Sequence, residues 1–119
     1  MRAVAILVIL AAAACTEPQR PVLTGAFGGE NIAVQNHNGR TELRLGCYST
    51  AVAAIRLGSD SSATFSSPGY VGAGLPVTLT IDVRQIDADR ISVTVHGQTD
   101  TTYFADRDQP AHFTVSCLA

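Results

Sequence analysis

The 119-residue chain contains no tryptophan, and its eight basic residues are all arginine, so lysine is missing too. It also lacks a long hydrophobic run. The longest, Ala3 to Cys15, would reach only about 20 Å as a helix, short of the roughly 30 Å of a hydrocarbon core, so it cannot span one. No segment sustains an apolar period of 3.6 residues, which argues against helical bundles and α/β layers. Positive charge is scarce and unclustered. The net charge of −2 leaves no basic patch for a nucleic-acid backbone. The nucleophile elbow, the paired-histidine zinc helix and the glycine-rich phosphate loop are missing. No motif calls for a metal or a cofactor.

What is present begins with an address. Arg2, the apolar stretch and the small residues Ala11 to Ala14 follow the order of a secretory signal. The stretch Ala12-Ala13-Ala14-Cys15 resembles the lipobox of bacterial lipoproteins, with Ala12 standing where leucine is usual and Leu10 two positions earlier. The resemblance implies that residues 1–14 are a signal peptide and that Cys15 becomes the lipid-carrying first residue of the mature chain. Residues 15–21 are then a polar tether, and residues 22–119 a single β domain. Stable attachment takes more than one acyl chain. Thr16, where an aspartate would mark retention at the inner membrane, implies the outer membrane, facing the periplasm. A signal cut near the same place without lipid is the alternative.

Removing residues 1–14 takes Arg2 with it. Seven arginines then face ten acidic residues, for about three net negative charges over 119 − 14 = 105 residues. That length suits one small domain with a modest core. With Cys15 committed to lipid, Cys47 and Cys117 remain. An even pair in an exported chain reads as one disulfide.

From Val22 onward the pattern is β. In "ENIAVQNHNGRTELRLGC", Ile32 and Val34 alternate with polar or small neighbours, and Asn38-Gly39 supplies a type I′ turn. Leu43, Leu45 and Cys47 share the parity of the return strand. "YSTAVAAIRL" reads as a further strand or, alternatively, a short helix. "ATFSSPGY" reads as a short strand stopped by Pro68-Gly69. A second hairpin sets Val77, Leu79, Ile81 and Val83 against Ile91, Val93 and Val95. "TTYFA" is another short strand before a polar loop, "DRDQP". "AHFTVSCL" is the last strand, with Phe113, Val115 and Cys117 on one face. The sum is an all-β domain: a small antiparallel barrel or sandwich of seven to eight strands. Strand parity places both thiols toward the core on different strands.

Residues with chemical potential are scattered. His37 sits by the Asn-Gly turn, while His96 and His112 share the parity of outward-facing Thr and Ser. The pairs Asp87/Asp89 and Asp106/Asp108 fall in turns beside arginines and read as solvated. The seven aromatic side chains read as core. The glycines of "GAFGG" and "GYVGAG" read as bulges or sharp corners.

"GGENIAV", "ELRLGC", the Phe65 to Gly69 segment, "TLTIDV", "ISVTV" and "FTVSCL" together resemble a group of small bacterial lipoproteins. Phe27 stands where those proteins commonly have tryptophan, and Asn31 where they often have histidine. The resemblance implies fold and export and carries no activity. "SSPGY" is a loose echo of the serine- and tyrosine-bearing loop of membrane-bound lysozyme inhibitors. The function expected is therefore non-enzymatic: an envelope lipoprotein that meets the membrane through Cys15 and binds a protein or small ligand, with an enzyme inhibitor or a small hydrolase as alternatives.

Overall fold

A computed structural model describes residues 21–97 and 99–117. The signal segment 1–14, Cys15 and residues 16–20 of the tether lie outside the described residues. Eight strands follow one another: β1 (Ala26–Gly29), β2 (Ile32–His37), β3 (Arg40–Leu45), β4 (Tyr48–Ala53), β5 (Ser62–Val71), β6 (Leu75–Asp87), β7 (Arg90–His96) and β8 (Thr101–Arg107). Each pairs antiparallel with the next, and β1 pairs with β8, so the sheet closes into a barrel. Of the two architectures the sequence allows, the barrel is the one adopted.

The period-two pattern explains the packing. Ile32 and Val34, Leu43 and Leu45, Leu79, Ile81 and Val83, and Ile91, Val93 and Val95 all point inward and are buried. Leu23, Ile55 and Leu57 close the end of the barrel that carries the Asn38-Gly39 turn. They sit there because Leu23 N–H donates to Ile55 O at 2.9 Å and Leu57 N–H to Pro21 O at 2.8 Å. Asn38 and Gly39 both have positive φ, 53° and 71°, as a type I′ turn requires. The interior is filled by side chains, like other small barrels.

The two cysteines are bridged, with sulfurs 2.06 Å and Cα atoms 5.3 Å apart. The route to that bridge differs from strand parity. Gly46 and Cys47 are the two-residue turn between β3 and β4, since Leu45 pairs with Tyr48. Residues 113–117 form no strand among the described residues. The tail makes a single parallel bridge, Glu30 with His112. Phe113 is only half-buried and Val115 is exposed, so neither lies in the core. The reason is topological: β1 and β8 already close the barrel, so no full edge is left for a ninth strand. The disulfide thus caps the far end of the barrel and does not cross its core.

Other expectations are corrected by the same geometry. β5 runs through Pro68-Gly69 to Val71 because Pro68 sits where its nitrogen faces away from β6, which costs no ladder bond there. "STAVAAIRL" is strand, not helix, as far as Ala53. Asp106 and Arg107 belong to β8 and not to a loop. Tyr70 and Phe104 are exposed and so are not core, while Tyr48, Phe65 and Tyr103 pack against it. Burial, with Tyr48 alongside, holds the Tyr103 phenol above its ordinary 10.0.

The closure between β1 and β8 rests on two residue pairs, Phe27–Arg107 and Gly28–Asp106. Arg107 reinforces it. Its guanidinium donates to Ala88 O at 2.8 and 3.0 Å and to Thr24 O at 2.9 Å, and lies 4.5 Å from the centre of the Phe27 ring. The tail then crosses directly over Gly28, where a Cβ would collide with the main chain of Gln109, Pro110 and Ala111. Asn31, with φ of 61°, holds the tail further on: its side-chain oxygen accepts the Thr114 N–H at 2.8 Å.

Two outcomes follow. Cys117→Ser opens a link of sequence separation 70 and should lower the unfolding free energy by roughly 4 kcal/mol in urea titrations, the reduced wild type behaving alike. Gly28→Ala should cost about 1–3 kcal/mol through the tail's collision with the new methyl group, whereas Gly97→Ala, where the nearest atom to a Cβ is Thr99 O at 3.9 Å, should cost less. Thermal melts of the two variants check the order.

Candidate functional site

With the interior filled, recesses form on the outer wall. Register aligns outward residues of four strands in one row: Ala33 on β2, Arg44 on β3, Ser49 on β4 and Tyr70 on β5. The next row holds Gln35, Glu42 and Ala51. Small side chains at Ala33, Ser49 and Ala51 leave a hollow between the longer ones. Its volume is about 450 Å³. A second hollow of about 590 Å³ adjoins it, reaching Arg40, Pro68 and Pro76 and sharing Thr50, Ala51 and Tyr70. Tyr70 stands between the two, 54 % exposed.

The groups around this double recess are a guanidinium, a carboxylate, a carboxamide, a hydroxyl and a phenol. Arg44 is held by the tail, its guanidinium carbon 4.1 Å from the centre of the Phe113 ring. Such a set orients a polar ligand through several hydrogen bonds over a small apolar floor. Neither hollow is lined by a histidine. His37 ends β2 in solvent. His96 meets Asp100 at 3.2 Å, both exposed. His112 lies on the tail against Glu30. The two aspartate pairs do come near each other through cross-strand ion pairs, Arg90–Asp106 at 3.9 Å and Arg107–Asp89 at 3.5 Å, with both carboxylates exposed. Among the described residues no group of three or more histidine, cysteine, aspartate or glutamate side chains is placed to hold a metal ion.

Beneath the recess the wall is held by side chains as well as by its ladder. β4 and β5 pair only from Tyr48–Val71 to Thr50–Gly69. Buried Thr50 then takes over: its hydroxyl lies 2.8 Å from the Ser67 hydroxyl and donates to Pro68 O at 2.8 Å. Gly69 is required here, because a Cβ would press on Ser49 O and on Leu79.

Of the residues the sequence singles out, Cys47 and Cys117 are brought together. Cys15 lies outside the described residues. Sequence reasoning missed Arg44, Glu42, Gln35 and Tyr70 as a set. Each reads locally as an ordinary outward residue, and only the register across four strands brings them into rows. Comparison with known proteins adds nothing to this: no family model matches the chain, and neither the curated proteins nor the solved structures yield a match.

Thr50→Val preserves shape but removes both hydroxyl contacts. It should cost about 1–2 kcal/mol and speed amide exchange at Ser49 and Tyr70 ahead of the β6–β7 ladder, measured by hydrogen-exchange mass spectrometry.

Proposed function

We propose that the protein is a non-catalytic, lipid-anchored component of a bacterial envelope that binds a protein or small polar ligand on the outer wall of its barrel, around Tyr70. The observation that carries this reading is the placement of space. The barrel encloses a packed core, while the double recess lies outside it, ringed by Arg44, Glu42, Gln35 and Ser49.

The address comes from the sequence. The signal-like residues 1–14 and Cys15 favour a lipoprotein of the outer membrane facing the periplasm. A disulfide between Cys47 and Cys117 suits an oxidising compartment. Pro21 and Val22 are held beside Leu57 and Arg56, at the barrel end opposite the disulfide. A tether to Cys15 would therefore leave the disulfide end directed away from the bilayer, with the recess on the barrel's flank open to partners. Binding without turnover is favoured because the three histidines lie apart from the recess, leaving the Glu42 carboxylate there with no histidine beside it.

A second reading, inhibition of a periplasmic enzyme such as a lysozyme, draws on the exposed Tyr70 at the end of "SSPGY". There the Pro-Gly pair lies inside a strand and presents the phenol on the wall.

The test uses the full chain in a bacterial host. Cys15→Ser should abolish acyl-chain mass on the mature protein and release it from the membrane fraction. Photo-crosslinker placed at Ala51 should capture a discrete envelope partner, whereas the same group at Thr94, on the far wall, should not. An unmodified Cys15, or equal capture at both positions, contradicts the proposal. Inhibition of lysozyme that Tyr70→Ala removes would select the second reading.

A further inference from the structure

The barrel wall contains a split. Beyond Thr50–Gly69 the two strands diverge: β4 continues to Ala53, and β5 extends back to Ser62, with no paired residues between them among the described residues. A slot of about 290 Å³ opens there, lined by Val52, Ala53, Ile55, Arg56, Thr64 and Phe65 among others.

The direction of the main-chain groups follows from fixed points on either side. On β5, Ser62 O accepts the Gly58 N–H at 2.8 Å, on the side away from β6. Ser61 O accepts the Gln85 N–H at 2.8 Å, on the β6 side. N–H and C=O directions alternate along a strand, so Thr64 and Ser66 point theirs toward the slot. Pro68 has the same parity, which is why a proline is tolerated there. On β4, Ala54 N–H donates to Gly39 O at 2.9 Å toward β3, so Ala53 faces the slot. Two strand edges of opposite walls thus look at each other across the same gap.

The charges around the slot are unequally matched. Asp82 accepts from the Thr64 hydroxyl at 3.2 Å, and Asp60 accepts the Ser62 N–H at 3.2 Å with Arg84 nearby. Arg56, which lines the slot, and Arg40, which lines the adjoining recess beside Pro68, form no ion pair among the described residues. Both are exposed.

We propose that this split accepts an extended, acidic peptide segment of a partner protein, which adds as a strand along Thr64 and Ser66 and sets a carboxylate against Arg56 or Arg40. Main-chain hydrogen bonds supply the affinity, and the apolar groups of Val52, Ile55 and Phe65 take an inward side chain. A second copy of the chain is the poorer occupant, because its own β5 edge is flanked by its β4 and cannot enter. The inference does not rest on the lipid anchor, and it borrows from the Tyr70 recess only Arg40 at its margin.

The test uses the full-length protein in detergent and three synthetic probes of about ten residues. One alternates Val and Thr with Asp at both ends, one carries Lys in place of Asp, and one is the acidic peptide N-methylated at alternate residues. The acidic probe should bind, the other two roughly tenfold more weakly. Ser66→Pro removes the slot-facing donor together with the exposed hydroxyl contact to Thr80 at 3.2 Å, and should weaken the acidic probe by about tenfold while leaving the melting temperature within a few degrees of wild type; Arg56→Ala gives an independent loss should Ser66→Pro misfold. Equal binding of the N-methylated probe, or no binding of the acidic one at millimolar concentration, overturns the proposal. Concentration-dependent dimers that Ser66→Pro abolishes overturn it as well and assign the edge to a second copy.

Discussion

Ring closure is the constraint on which this structure depends. A sheet that curls on itself satisfies every strand only if its first and last members meet, and here they meet over Phe27–Arg107 and Gly28–Asp106 alone. Several special features of the chain gather at that short join. Arg107 ties three separate carbonyl and aromatic groups across it. Gly28 clears space for the returning tail, Gly29 lets β8 approach at Phe104 and Ala105, and Asn31 holds the tail in place. The disulfide then fixes the tail to the opposite turn. A hydrophobic core of Ile, Val and Leu fills the cylinder, but it is these polar and covalent devices that decide where the cylinder ends.

The strands themselves were legible. Ile32/Val34, Leu43/Leu45, Val77 to Val83 and Ile91 to Val95 alternate without interruption, and alternation is a local property. Asn38-Gly39 announced its own turn. The pairing of Cys47 with Cys117 followed from arithmetic and export. Their location did not. Parity was applied to Cys47 as though it continued β3, whereas Gly46-Cys47 reverses the chain. It was applied to Phe113, Val115 and Cys117 as though any alternating apolar run must find a sheet. That run lies outside because closure had already used the edge, a fact about the whole fold that no window of sequence contains.

The recess was illegible for a related reason. Ala33, Arg44, Ser49 and Tyr70 come from four strands and become neighbours only when three registers are known at once. Pro68-Gly69 misled in the opposite sense. The dipeptide usually punctuates a strand, but with its nitrogen turned from β6 it marks where the ladder with β4 stops and not where β5 stops. The irregularity that reads as the end of a strand instead lies where the wall opens.

Seven of the eight strand pairings join consecutive segments, and one joins residues near 27 to residues near 107. Hairpins of this kind zip from their turns outward at little entropic cost, whereas the last contact must wait for most of the chain. The tail that crosses Gly28 comes after that contact in sequence and lies over it in space. Assembly therefore has a built-in order: a meander first, the ring second, the overlying clasp third.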